Sequence, residues 1–150
     1  MNEKLIFAKA TVESFCAIVA YVQDSELIVC DIVTSENISK FLTDISELTT
    51  KHNPILVQYE CSIYLNECRN LREILSSSDT KVRGYKSEGA YLDRIVSQAN
   101  FISESVVVDE SLSEFTAQIL SFKPSDKDKS NIALDVLSDA AKFMRRRYFE

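Results

Sequence analysis

The chain has 150 residues, of which 45% are hydrophobic and 27% charged, a balance typical of a single folded domain rather than a disordered chain. No apolar run approaches the roughly 20 residues of a membrane-spanning helix, and the N-terminal segment has no secretory signal, so we expect a cytoplasmic protein without a membrane partner. The net charge of −6 argues against a protein that coats nucleic acid by bulk attraction, but it is compatible with a nuclease that holds metal with carboxylates.

The first third of the chain predicts an antiparallel meander. Strand-like apolar patterns cover residues 4–10, 16–23 and 26–34, and the polar residues Gln23, Asp24 and Ser25 form a tight turn between the second and third strands. A helix follows over residues 36–52, because apolar residues recur there at three- and four-residue steps and Ser35 can serve as the N-cap.

The remaining two thirds alternate between strands and helices. Strands are predicted at residues 55–60 and 81–86, with a brief extended segment at 105–109. Helices are predicted at residues 62–75, 90–102, 112–122 and 130–148, and the polar segment 123–130 is a surface loop. This order predicts an α/β domain with the mixed five-stranded sheet of the ribonuclease H-like fold, in which the first strand is central and lies beside the fourth.

The sequence lacks the residues that several kinds of catalytic centre require. His52 is the only histidine, and the four cysteines show no CxxC spacing, which argues against a zinc site and against Ser/His/Asp or Cys/His catalysis. Hydrolysis by this chain therefore needs carboxylates and a divalent metal. The chain also contains no GxxxxGK[ST] phosphate loop, so it is not an ATP-driven motor by itself. We expect either an excised C-terminal domain of a longer protein or a free-standing domain that works beside a motor from another chain.

The second half of the chain carries a series of motifs. A short strand leads to a helix with the pair Arg94 and Ile95, a later helix ends in Leu120 and Phe122, and a polar loop precedes the helix start NIALDVLSDA. This series resembles the nuclease domain of a phage terminase large subunit, whose last helix begins with a DDxxDAL motif. The resemblance extends over nearly all of the chain.

The resemblance implies a particular metal site. Members of the family cut DNA with two Mg²⁺ or Mn²⁺ ions held by acids from the first strand, the fourth strand and the last helix, because two metals stabilise the attacking and leaving oxygens. The corresponding positions here are Lys9, Gln58 and Asn131, none of which is an acid, whereas Asp135 is retained as a later aspartate of the helix. The alignment therefore predicts a degenerate catalytic centre.

An alternative is that displaced acids form an active centre. Glu60 lies at the end of the fourth strand, and Asp128 and Asp135 share a helical face if the last helix begins early. Together with Glu13, these residues are the candidate acids of such a centre, and Glu60 and Asp135 are the best candidate metal ligands. The alternative is that all of them are ordinary charges of loops and helix ends. Lys9 separates the alternatives, because a lysine that pairs with Glu60 or Asp135 takes the place of the metal.

A concentrated basic feature lies close to the C-terminus. It consists of Lys142, Arg145, Arg146 and Arg147, followed by Tyr148 and Phe149. These cations are candidate contacts for DNA phosphates. Alternatively, they stabilise the C-terminal end of the last helix through its dipole.

We therefore predict a terminase-nuclease-like domain of phage or prophage type, in the cytoplasm of the host cell, that acts in viral DNA packaging or processing. Its expected role is to bind double-stranded DNA, a terminase ATPase or another packaging protein as a pseudo-nuclease. One alternative is an active endonuclease that uses Mg²⁺ or Mn²⁺ with displaced acids. A second is a non-catalytic scaffold that binds only protein.

Overall fold

The computed structural model describes residues 2–12, 14–61, 66–123 and 131–150. The strands in this part of the chain are β1 (Leu5–Ala10), β2 (Phe15–Gln23), β3 (Glu26–Ser35), β4 (Leu56–Glu60), β5 (Lys81–Tyr85) and β6 (Val106–Val108). The helices are α1 (Ile38–His52), α2 (Glu67–Ile74), α3 (Tyr91–Ser105), α4 (Ser113–Leu120) and α5 (Ile132–Met144), and a π-helical turn (Arg145–Phe149) continues α5. Among these described helices, none is long and apolar enough to cross a membrane.

The strands form one mixed sheet in the order β5-β4-β1-β2-β3-β6. β1, β2 and β3 form the predicted antiparallel meander, and β1 lies in the middle with β4 parallel beside it, as expected. The sheet has six strands rather than the predicted five, because Val106–Val108 pairs in parallel with β3 at the edge. A strand of three residues, with its middle residue exposed, is too short to be recognised by alternation of polar and apolar residues.

Helices cover both faces of the sheet. Leu5 and Phe7 of β1 pack in one core with α4 and α5, whereas Ile6 and Ala8 pack in a second core with α1 and α2. A strand covered on both faces has a nearly continuous apolar sequence, which explains the composition of β1. Lys9 is the exception in this strand, and its position in the alternation places it on the α5 face.

Local residues define the ends of the first elements. Asp24 and Ser25 both have positive φ, 52° and 63°, as a two-residue hairpin turn requires, which confirms the predicted turn. The prediction that Ser35 is the N-cap of α1 is wrong. Asn37 caps this helix, because its Oδ1 accepts a hydrogen bond from the Lys40 N–H at 2.9 Å. Ser35 instead belongs to β3, and its hydroxyl donates to Asp44.

Candidate functional site

Four charged side chains converge where β1 and β4 end. Lys9 and Glu60 are partners in the register of these two parallel strands. Asp135 and Asp139 lie four residues apart on α5, and thus on one side of that helix, which packs across β1. Each of the four side chains is no more than 7% exposed, so water screens their charges little.

The Lys9 ammonium lies among the three carboxylates. Its Nζ is 2.9 Å from Asp135 Oδ1, 3.0 Å from Asp139 Oδ2 and 3.9 Å from Glu60 Oε2. It also donates a hydrogen bond of 2.8 Å to Ser87 Oγ. A buried charge requires such partners, because removal from water costs several kcal/mol per ion unless it is paired.

Arg94 of α3 supplies a second cation. Its Nη2 donates to both carboxylate oxygens of Asp135, at 2.9 and 3.1 Å, and its Nη1 donates to the carbonyl oxygen of Gly89. Its Nε lies 3.9 Å from Asp139 Oδ1 and has no hydrogen-bond partner among the described residues. Asp135 is therefore held between Lys9 and Arg94.

Two hydroxyl groups complete the cluster. The Tyr85 and Ser87 hydroxyls both donate to Asp139 Oδ2, at 2.9 and 2.8 Å, and the Ser87 N–H donates to Glu60 Oε2 at 3.0 Å. Burial, followed by the negative charge of Asp139, raises the pKa of Tyr85 well above its ordinary value, so the phenol remains a donor. We call this cluster the Lys9 network. Its members are Lys9, Glu60, Tyr85, Ser87, Arg94, Asp135 and Asp139.

No protein-family model and no curated protein matches the sequence. Solved structures do match. The fowlpox virus Holliday junction resolvase is 16% identical, with a TM-score of 0.62, and the match covers 96% of this chain and 99% of that chain. The Mn-soaked human cytomegalovirus terminase nuclease domain is 8% identical, with a TM-score of 0.67, and the match covers 95% of this chain and 83% of that chain.

A manganese-containing nuclease domain of the large terminase subunit of bacterial virus Sf6 is 10% identical, with a TM-score of 0.63 and coverage of 93% of this chain and 88% of that chain. The fold is ribonuclease H-like. At these identities, what the structures share with this chain is the arrangement of strands and helices.

The Lys9 network does not fit the metal site that the resemblance implies. Mg²⁺ requires oxygen ligands at about 2.0–2.1 Å in octahedral geometry. Here Lys9 Nζ is within 3.0 Å of both aspartates of α5, and Arg94 binds the same Asp135 carboxylate. Within the described ranges, no group of three or more His, Cys, Asp or Glu side chains is arranged to hold a metal ion.

The other two positions aligned with family acids lie elsewhere. Asn131 is the N-cap of α5: its Oδ1 accepts from the Leu134 N–H at 3.0 Å, and its Nδ2 donates to the Gln118 carbonyl oxygen. Gln58 lies on the α5 face of β4, two residues before Glu60. The candidate acids Glu13 and Asp128 lie outside the described residues.

The predicted basic residues do not form one patch. Arg145 donates to Gln98 Oε1 at 2.9 Å and lies over the ring of Phe101, so it holds the π-helical turn against α3. Arg147 contacts Tyr148, its neighbour in sequence. Lys142 and Arg146, one helical turn apart, instead line a cavity beside the Lys9 network, where Lys142 pairs with the exposed Glu88 at 3.2 Å.

Sequence reasoning assigned no role to Asp139, Ser87 or Tyr85 and treated Arg94 only as part of a motif. The position of Asp139 beside Asp135 was predictable from the sequence, because residues four apart in a helix lie on the same side of it. The roles of Ser87 and Arg94 depend on how the segment after β5 and α3 approach α5. Sequence spacing does not contain that information.

Proposed function

We propose that this chain is a catalytically inactive ribonuclease H-like domain that binds DNA in viral DNA packaging or processing. The observation that carries the proposal is the Lys9 ammonium, which lies 2.9 Å from Asp135 and 3.0 Å from Asp139 where a nuclease needs a metal ion. The viral context rests on the similarity to two terminase nuclease domains and to a resolvase, which has also been solved in complex with Holliday junction DNA.

The active-endonuclease alternative is less well supported. Mg²⁺ or Mn²⁺ bound by Glu60 and Asp135, with or without Asp128, needs Asp135 to exchange two cations for the metal. Lys9 is buried, and separating a buried pair typically costs roughly 3 to 5 kcal/mol, whereas Arg94 is partly buried. The proposal includes contacts of Lys142 and Arg146 with double-stranded DNA. It also includes a second partner, either a terminase ATPase or another packaging protein.

One titration tests both halves of the proposed function. Supercoiled plasmid is incubated with increasing protein, with and without Mn²⁺, and run on one gel that reports both retardation and nicking. We expect retardation that weakens as salt rises, because phosphate contacts release counterions, and no metal-dependent nicking. Nicking by the wild type that disappears in Glu60→Gln would overturn the inactive centre. Absence of retardation would favour the protein-binding scaffold.

A substitution at Lys9 tests why the centre is inactive. Lys9→Asp replaces the ammonium with a fourth carboxylate, and we expect Mn²⁺ to raise the melting temperature of this variant by roughly 3 to 6 °C at a tenfold excess over its dissociation constant. The wild type and the matched charge change Lys51→Asp, on the exposed surface of α1, should not respond. A wild-type response as large as that of Lys9→Asp would mean that Lys9 does not exclude the metal.

A further inference from the structure

One part of the sheet is less closely covered on the α5 face. α5 packs across β1 and β2, and in the described part of the chain no helix of this face packs as closely against the adjoining strands β4 and β5. Gln58 and Arg83 are partners in the parallel register of these strands, as are Glu60 and Tyr85, and all four share this face. A cavity of about 350 Å³ lies here, and we call it the β5 pocket. Its floor is formed by Gln58, Arg83 and Tyr85, and its walls by α3, α5 and residues 86–88.

Gln58 lines this pocket with a polar side chain. The residue is only 3% exposed, and its amide makes no hydrogen bond with any residue in the described part of the chain. Its NH₂ group and carbonyl oxygen offer two donors and one acceptor to a ligand.

The pocket lining carries an excess of positive charge, with five cations against the three carboxylates Glu88, Asp93 and Asp139. Arg83, Lys86 and Arg146 line it, and none of the three forms an ion pair within residues 2–12, 14–61, 66–123 and 131–150. The other two cations of the lining, Arg94 and Lys142, already have carboxylate partners. These three cations outnumber the one lining carboxylate, Asp93, that has no ion pair among the described residues. Beside the Gln58 amide they are complementary to a ligand with an anionic group and a polar ring.

We propose that the β5 pocket binds one nucleotide unit, with its base hydrogen-bonded by Gln58 and its phosphate among Arg83, Lys86 and Arg146. A volume of about 350 Å³ lies at the small end of ligand pockets, which suits one nucleotide rather than a longer segment. This inference rests on the proposed function and adds to it: the unit is either an unpaired nucleotide of a DNA strand or a free mononucleotide, two sources with the same chemistry.

The test measures binding by fluorescence anisotropy and calorimetry. The probes are the four deoxynucleoside monophosphates, a blunt 20-base-pair duplex and the same duplex with a three-nucleotide overhang. Arg83→Gln removes the charge on the pocket floor, and Lys81→Gln removes an equal charge from the same face of β5 outside the pocket lining. Gln58→Leu keeps the approximate size of the side chain and removes its hydrogen-bonding groups. Melting curves verify that each variant is folded.

We expect Arg83→Gln to weaken binding of the overhang duplex roughly tenfold, the loss typical of one charged hydrogen bond, and Lys81→Gln to change it less than about twofold. Gln58→Leu should lower the affinity and reduce any preference among bases. Monophosphates that bind as tightly as the overhang duplex identify the free nucleotide as the ligand, whereas weaker monophosphates that compete with the overhang identify the unpaired strand. Arg83→Gln is an exposed substitution and serves as the test even if Gln58→Leu fails to fold.

Equal affinity of the wild type and Arg83→Gln for every probe would overturn the inference. So would an effect of Lys81→Gln as large as that of Arg83→Gln, since charge anywhere on the strand would then suffice. Either result leaves plasmid retardation and the absence of nicking unaffected. A failure of this inference is therefore distinguishable from a failure of the proposed function.

Discussion

The two faces of the sheet each carry a cluster of ion pairs, and the clusters differ in their access to water. On the α1 face, Asp31 accepts from Lys51 at 3.0 Å and from His52 Nε2 at 2.8 Å, while Lys4 lies 3.2 Å from His52 Nδ1. This Asp31 cluster consists of Lys4, Asp31, Lys51 and His52. The Lys51 side chain is 68% exposed, whereas that of Lys9 is 6% exposed. The same lysine-aspartate contact is therefore screened by solvent on one face and unscreened on the other.

The largest expected effect comes from the matched pair Lys9→Met and Lys51→Met. Lys9→Met leaves three buried carboxylates with Arg94 as their one cation in the Lys9 network, and we expect a loss of roughly 3 to 5 kcal/mol in the free energy of unfolding. Lys51→Met should cost less than about 1 kcal/mol, because the ion pair it removes is exposed. Urea unfolding measures both, and equal losses would show that burial is not what distinguishes the clusters.

A smaller effect is expected from Tyr85→Phe, which removes one donor from the Lys9 network. The lost hydrogen bond to Asp139 is 2.9 Å long, and leaving a buried carboxylate oxygen without it should cost about 1 to 2 kcal/mol. Because the pKa of Tyr85 is raised in the folded state, its contribution is fully present below the unfolded value of about 10 and is lost as pH rises through the folded value. The wild type should therefore lose stability in alkali faster than Tyr85→Phe. The matched control is Tyr21→Phe, which removes a phenol hydroxyl of β2 outside the Lys9 network.

The smallest effect should come from the exposed cluster, in Asp31→Asn. Burial alone would raise the pKa of Asp31, but hydrogen bonds from His52 and Lys51 outweigh it and hold the pKa below its ordinary value. The carboxylate thus stabilises the fold above the unfolded pKa of about 3.9, and this stabilisation is lost as pH falls through the folded value. We expect Asp31→Asn to cost about 1 kcal/mol or less at pH 7 and progressively less as the pH falls. A difference that persists in acid would assign the effect to packing instead.

Local patterns were sufficient for most of the fold. The buried run of β1 and the positive-φ pair Asp24 and Ser25 are determined by short-range chemistry, and their predictions are confirmed. The errors arose where local signals competed or were weak. Ser35 and Asn37 both suit an N-cap, and the choice depends on where β3 stops. β6 is a strand only because β3 offers it an open edge.

The candidate site was less accessible from sequence. The structure brings Lys9, Glu60 and Asp135 together. The strand order and the family resemblance predicted that these residues could meet. Arg94 binds Asp135 across 41 residues of sequence, and no spacing rule connects α3 to α5 at that distance. The position of Gln58 in the β5 pocket is also a tertiary property, since it depends on the position of α5 beyond β4 rather than above it.

The contact between Lys9 and Asp135 joins residues 126 positions apart, and this has a consequence for the order of folding. Before α5 docks, the central strand presents an ammonium group on an otherwise apolar face, and the cost of dehydrating that group opposes collapse of the face. Docking of α5 removes this cost and buries the apolar side chains of Leu5 and Phe7 in the same step. We therefore expect the central strand and the last helix to form one cooperative unit, which should exchange its amide hydrogens together, as slowly as the whole domain unfolds.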